Sequence, residues 1–547
     1  MADVTDVAEG RLRRALGLPS LVLFGLVYMV PLTVFTTYGI VTQTTGGRLS
    51  VAYLVTLAAM VFTARSYAVM AVAYPVAGSA YTYTQKTFGA PVGFLAGWSL
   101  LLDYLFLPMI NYLVIGIYLN AALPAIPAWV FVLLSIAVVT VLNVVGIVSV
   151  ARANFVIIAV QAIFIGTFLV LACSKVLSLG TLDLMAPFHG DGSTDGFSPV
   201  LAGAAILCLS FLGFDAVSTL SEEAKEPKRS VPQAIMIATL VSGVIFVVLS
   251  YLGQLVFPSN QFADVESGSL DLMLAAGGQF LQTFFTAAYV AGALGSAITS
   301  QASVARILFA MGRDGILPRQ FFGHVSPRFA TPVYAILAVS AVSLLAMVIS
   351  LSTLASLISF GALVAFSAVN LSVIKHYFVD RAERAGAGVV NNLVLPLIGF
   401  LLTVWLWTSL SGVTLIIGLA WLAAGFVWLA LCFAIYSANL AYGKAYKQIL
   451  DRHGITYTQY IAIVALSEQD HQTVGGLGEK LFLESNTLTP ILKKLETLGF
   501  VTRHRDPGDE RQVIVSLTDA GRELREEALE TELVAATGLS MEELTTM

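Results

Sequence analysis

Two carboxylates sit where carboxylates are expensive. Asp103 lies in the apolar run Val92–Leu119 and Asp215 in the run Val200–Leu220. At 1.5 Å per residue Asp103 is about 17 Å along its segment, close to the middle of ~30 Å of hydrocarbon. An acid at that depth is a functional hypothesis by default. No Lys or Arg lies at comparable depth to neutralise either one. The missing cations are expected to be ligands, either protons or substrate amines. For Asp215 a second reading stands beside this one: a carboxylate satisfied by the backbone donors of an unwound segment. Tyr28, Tyr104, Phe211 and Phe214 are near in sequence. They can offer ring faces to an ammonium group, or simply pack.

Helix-breaking residues accompany the acids. The first apolar segment contains Gly25-Leu-Val-Tyr-Met-Val-Pro31 and the sixth contains Ser210-Phe-Leu-Gly-Phe-Asp215. Irregular backbone inside a bilayer is tolerated only where it lines a cavity. Broken helices at matching positions of two halves point to an inverted-repeat transporter with a midplane site. The candidate substrate-binding residues are therefore Tyr28, Met29, Val30 and Pro31 in one break, Phe211, Gly213, Phe214 and Asp215 in the other, and Asp103 with Tyr104.

These positions need a membrane scaffold, and the composition supplies one. Of 547 residues 57% are hydrophobic and 12% charged, against about 25% charged in a soluble protein. The mean hydropathy is +0.84. A soluble enzyme, a disordered chain and a fibrous protein are excluded. Long unbroken apolar runs exclude the polar alternation of a water-filled barrel. Three cysteines exclude a disulfide scaffold. No cofactor or metal is expected. Twelve spans can be read: Ser20–Thr44, Val51–Ala71, Val92–Leu119, Trp129–Val148, Asn154–Cys173, Val200–Leu220, Gln233–Phe257, Phe280–Ala305, Val333–Ile349, Thr353–Ile374, Leu393–Leu410 and Thr414–Phe433. The first 19 residues are polar, and the stretch after them is too long for a signal peptide core. With the N-terminus in the cytoplasm, all basic residues of 1–443 except Arg48 and Lys175 fall on the cytoplasmic side. Both termini are then cytoplasmic, in the cytoplasmic membrane.

Charge is unevenly spread. Residues 1–443 hold 18 basic and 17 acidic residues, and residues 444–547 hold 11 and 17. That step marks a domain boundary. The expected division is a cytoplasmic segment over 1–19, a membrane domain over 20–430 and a cytoplasmic domain over 431–547, its first helix continuous with the last span. In the last part, Thr473–Phe500 reads as helix–turn–helix, with Ser485-Asn-Thr-Leu-Thr opening the second helix. Val501–Gly521 reads as a β-hairpin wing turning at Asp506-Pro-Gly-Asp509.

The stretches PVAGSAYTYTQKTFGAPVGFLAGWSLLLDY and FLGFDAVSTLSEEAKEPKRSVPQAI resemble the amino acid–polyamine–organocation permeases. GLVYMVPLTVF, SAYTYTQK, LLDYLFLPMIN and ASVARILFAMGRD resemble the bacterial putrescine importers among them. The resemblance implies an all-α polytopic fold with a leucine-transporter-like five-plus-five inverted repeat and two further helices. It implies uptake driven by an ion gradient, usually protons. Two departures from amino acid permeases refine the substrate. Their Gly-x-Gly is replaced by Tyr28-Met29-Val30-Pro31, and Pro31 has no N–H for a substrate carboxylate. A lysine of the fifth helix is matched by neutral Gln161. The expectation is a non-enzymatic importer of putrescine or a related diamine, with an amino acid permease as the alternative.

The last ~100 residues resemble winged-helix regulators of the MarR class, specifically the organic-hydroperoxide-responsive repressors. The resemblance extends upstream to LCFAIYSANLA. It implies that Cys432 is a peroxide-sensing thiol and that Tyr436, Tyr446 and Tyr457 hydrogen-bond it after oxidation. Peroxide attacks the thiolate. An inert cysteine at a membrane edge is the other reading. DNA contacts would come from Ser485, Thr487, Thr489, Lys493, Lys494, Arg503, His504, Arg505 and Arg511, Arg511 being equally a structural partner of Asp509. Dimerisation would run through this domain. A membrane-tethered peroxide-sensing regulator is thus the expectation of another class.

Overall fold

The computed structural model describes residues 16–531, apart from 77–78, 146–149, 179–182, 314–317, 327–328, 330, 484 and 509–511. Among the described residues eleven helices are long and apolar enough to cross a membrane. They coincide with eleven of the expected segments. The segment expected over Val333–Ile349 is shorter, an α-helix over Val333–Ser343 that tightens to a 3₁₀ helix over Leu344–Met347. It stops there because Ser350 already caps the next helix, Leu351–Val373, by accepting the N–H of Thr353. The chain forms two compact units, Met1–Phe426 and Val427–Met547. One helix, Gly412–Ala445, runs across that division.

In the first unit Leu49–Ala73 packs on Pro227–Val256, and Ala90–Ala122 packs on Ser269–Arg313 and Leu351–Val373. Between helices in hydrocarbon there is no hydrophobic driving force, so close packing and interhelical hydrogen bonds hold such contacts. Trp98 and Trp421 show both devices. Their rings stack at 4.8 Å, and each indole N–H donates to the other's carbonyl, at 2.8 and 2.9 Å.

The second unit contains the expected helix–turn–helix, Val474–Leu481 followed by Ser485–Thr497. A preceding helix, Tyr457–Glu468, opens with a reciprocal cap between Thr456 and Gln459. Strands β1 (Gln472–Thr473), β2 (Val501–Arg505) and β3 (Val513–Leu517) form an antiparallel sheet in the order β1-β3-β2. The wing is the β2–β3 pair, in register from Val501 opposite Leu517 to Arg505 opposite Val513. At its turn Asp506 accepts the N–H of Gly508 at 2.8 Å; Asp509 and Arg511 lie outside the described residues. Strand β1 was not expected, since two residues are too few to leave a period-two pattern.

Asp470 ties this sheet to the closing helix Asp519–Thr531. Its Oδ1 accepts the N–H groups of Leu517 and His471, both at 2.9 Å, and its Oδ2 faces the Arg522 guanidinium at 2.8 Å. Burial opposes its charge, but these donors outweigh burial and hold the carboxyl below the usual carboxylate range. A depressed folded-state pKa stabilises the fold fully at neutral pH. That stabilisation fades as the pH drops below about 4 and through the folded value. Asp470→Asn should therefore speed amide exchange across Val513–Leu517 by roughly tenfold at pH 7, with the difference shrinking towards pH 3. Hydrogen-exchange mass spectrometry on the full chain measures it, and equal exchange at pH 7 would show that the charge contributes nothing.

Candidate functional site

The first break follows from Pro31. Without an N–H it cannot serve the Val27 carbonyl, and the Val30 N–H takes that carbonyl at 3.2 Å instead. The helix Leu18–Met29 ends, and Val30 adopts φ 46°. Such a conformation costs a β-branched residue roughly 1–3 kcal/mol. The chain continues as a 3₁₀ helix, Pro31–Phe35, before α-helix resumes at Tyr38. The Thr33 hydroxyl donates to the Met29 carbonyl at 2.8 Å.

The sixth segment breaks just before Asp215. The helix Ser198–Leu207 tightens to a 3₁₀ turn over Cys208–Phe211, Leu212 is extended, and Gly213 has φ 128°. Asp215 Oδ1 accepts the Gly213 N–H at 3.2 Å, and the Ser218 hydroxyl donates to the Asp215 carbonyl at 2.6 Å. Asp215 thus caps its own break, as the second reading of this residue requires. The two breaks abut. A Cβ on Gly213 would lie 2.7 Å from Tyr28 Cδ1 and 3.0 Å from the Met29 nitrogen.

Asp103 stands on the long helix Ala90–Ala122, which is not broken. Asp103 and Asp215 are each 5% exposed. Tyr28, Asp103, Tyr104 and Asp215 are near enough to interact electrostatically. Asp103 Oδ1 is buried without a hydrogen-bond partner. Among the described residues neither acid has a Lys, Arg or His within ion-pair distance.

Beside this group lies a cavity of about 550 Å³, its open mouth included. Tyr28, Met29 and Val30 line it from the first break, and Asn111, Gln161, Tyr289 and Ser296 supply further polar groups. Among the described residues its lining carries no charged side chain; Tyr28, which lines it, is also near enough to Asp103 and Asp215 to interact with them electrostatically. Phe211 and Phe214 are not brought to the cavity. Phe211 packs on Phe246, and Phe214 packs on Tyr67 and Phe366, all fully buried. Pro31 sets the break without lining the cavity. Two features escaped the reading of the sequence. Pro108, inside Ala90–Ala122, leaves the Tyr104 carbonyl without its helical donor. Asn111 comes two turns after Asp103 on the same helix. A proline and an amide within eight residues of a mid-span acid were the available signal.

In the second unit Cys432 and Tyr436 lie on Gly412–Ala445, with side chains outside those described. Tyr446 is buried, its ring 5.6 Å from Tyr457 and 5.0 Å from Tyr460. Burial, and then the neighbouring Tyr446, push the Tyr460 hydroxyl pKa up. On the second helix of the helix–turn–helix Thr487, Lys493 and Lys494 are exposed and Thr489 is half-buried; the Ser485 side chain lies outside those described. On the wing His504 and Arg505 are exposed, whereas Arg503 is held by Glu496 at 2.8 and 2.7 Å.

The chain matches the amino acid permease family over residues 20–453 and the SarA/Rot transcriptional regulators over residues 444–528. The low-affinity putrescine importer PlaP of Escherichia coli K12 is 41% identical over 431 residues, covering 78% of this chain and 95% of PlaP. The branched-chain amino acid permease BcaP of Bacillus subtilis is 30% identical over 446 residues, 77% of this chain and 93% of BcaP. At the other end, the organic hydroperoxide resistance transcriptional regulator of Bacillus subtilis is 46% identical over 100 residues, 18% of this chain and 68% of the regulator. The chain is a multi-pass membrane protein carrying a winged-helix unit, not an enzyme, and it belongs to the amino acid permease family.

Proposed function

We propose that the membrane unit is a secondary active transporter of the cytoplasmic membrane that imports putrescine or a related diamine, coupled to protons. The observation that carries this is the pair of buried acids, Asp103 and Asp215, gathered with Tyr28 at two abutting helix breaks without a protein cation beside them. A diamine brings the missing positive charge. Attraction at short range in a site of intermediate dielectric is a few kcal/mol per pair. The neutral Gln161 in the cavity and the absent N–H at Pro31 disfavour a substrate carboxylate. The likeness to PlaP, named as a putrescine importer, points the same way.

The proposal includes twelve spans, with Val333–Met347 as the ninth, in a five-plus-five inverted repeat plus two, and both termini in the cytoplasm. The 3₁₀ and extended segments in the two breaks lack a continuous helical ladder. They are the places where outer and inner half-helices can tilt independently around a fixed acid on the unbroken helix.

Uptake of labelled putrescine into proteoliposomes, with and without a proton gradient, tests the function. Asp103→Asn should lower affinity more than about a hundredfold, because a buried ammonium would lose its charged partner. Asp215→Asn keeps an acceptor for the Gly213 N–H but removes the charge, so it should lose uptake while remaining folded. Wild-type uptake by both variants would remove the acids from the site. A tenfold excess of putrescine or cadaverine should compete better than alanine or serine; the reverse order would install the amino acid reading.

For the second unit we infer a MarR-class winged helix whose DNA contacts are Ser485, Thr487, Thr489, Lys493, Lys494, Arg505 and Arg511. The exposed Lys493, Lys494 and Arg505 support this. Residues 444–547 carry 11 basic and 17 acidic groups, however, which weakens attraction to phosphate. Binding of the full chain in detergent to a palindromic operator should be micromolar or weaker at physiological salt. Nanomolar binding reversed by organic hydroperoxide would make a membrane-tethered regulator sensing through Cys432, Tyr436, Tyr446 and Tyr457 the better description.

A further inference from the structure

The substrate's second amine needs its own acceptor, and among the described residues no carboxylate lines the cavity, so that acceptor must be a neutral group. Asn111 lies on the same helix as Asp103 and lines the cavity with Ser296. Its Nδ2 donates to the Leu107 carbonyl at 2.8 Å and to Ser296 Oγ at 3.0 Å. A carbonyl oxygen only accepts, so the contact with Leu107 fixes which end of the amide is NH₂. Both protons of that NH₂ are then committed. Among the described residues no donor bonds to the remaining Oδ1, which is left as an acceptor.

Length supports the pairing. Eight residues of helix separate the two positions, an axial rise of about 12 Å. A four-carbon diamine is roughly 6 Å between nitrogens, and with a hydrogen bond of about 2.8 Å at each end it bridges acceptors up to about 12 Å apart, a limit that the Asn111 amide, drawn back towards Leu107, does not exceed. Pro108 lies between them and frees the Tyr104 carbonyl, one residue from Asp103. One helix thus presents a charged acceptor, a freed carbonyl and a neutral acceptor in order.

We infer that Asn111 Oδ1 is the specificity-determining acceptor for the far ammonium of the substrate, oriented by Leu107 and Ser296, with the near ammonium at Asp103. The inference rests on the diamine reading above and adds to it the group that separates a diamine from a monoamine. A neutral amide suits this end. It recognises an N–H group without creating a third uncompensated charge in a low-dielectric site.

The test is equilibrium binding of labelled putrescine and labelled butylamine to the purified full chain in detergent. Butylamine keeps one ammonium and the carbon chain and lacks the other nitrogen. Wild type should prefer putrescine by about tenfold or more. Asn111→Leu should bring the ratio of the two affinities to within about twofold of one, mostly by weakening putrescine. Asn111→Ser is the second variant, because a serine can bond back to the Leu107 carbonyl and keep the helix intact, while its shorter side chain holds the hydroxyl oxygen against the helix and out of reach of the far ammonium. Asp103→Asn should weaken both amines together. An undiminished preference for putrescine in Asn111→Ser would overturn this role while leaving the diamine reading in place. Failure of wild type to bind either amine would overturn the diamine reading and the role with it.

Discussion

Hydrocarbon offers neither a hydrogen bond nor a counter-charge, and the membrane unit is arranged around that lack. Each interruption of a helix must be repaired from within. At the first break the Val30 N–H and the Thr33 hydroxyl do this; at the second, the Asp215 carboxylate and the Ser218 hydroxyl. Once those repairs are made, Asp103 remains as the one carboxylate among the buried unpartnered groups of the described residues. An acid left in that condition has a cost that a cationic ligand offsets.

The division of labour between helices follows from the same constraint. Ala90–Ala122 keeps its helix through Pro108 and can hold Asp103 and Asn111 at a fixed spacing. The first and sixth segments give up regular structure and gain close approach. Gly213 allows the sixth backbone to meet Tyr28 and Met29, where any side chain would collide and where a positive φ is already required. Regular spacing on one helix and interrupted structure on two others is the arrangement that the proposed alternating exposure of a fixed site would use.

The second unit meets opposite conditions. Water solvates its surface, and a few of its charges are spent on internal order. Arg503 holds Glu496 across strand and helix, and Asp470 gathers Leu517, His471 and Arg522. A basic residue tied to a neighbouring carboxylate contributes less to a phosphate surface than a free one, so Lys493, Lys494 and Arg505 are the stronger positive points.

The sequence by itself determined the membrane class, eleven of the helices, both breaks and the helix–turn–helix with its wing. Each of these is local. Apolar length, a proline without an N–H and a glycine beside an aspartate act within a few residues. It also determined that two acids lie at depth, because hydropathy fixes depth along a helix. It could not determine which aromatics would face the site. Phe211 and Phe214 flank the break, yet they pack into the core on Phe246, Tyr67 and Phe366. The direction of a side chain in an unwound segment depends on neighbours far away in sequence. Nor could it separate the two acids. Only the folded backbone gives Asp215 the Gly213 N–H and leaves Asp103 Oδ1 without one. The orientation of the Asn111 amide is likewise tertiary, since Ser296, 185 residues away, holds one of its two protons. Local chemistry decides where a helix fails, and long-range packing decides which polar atom is left over when it does.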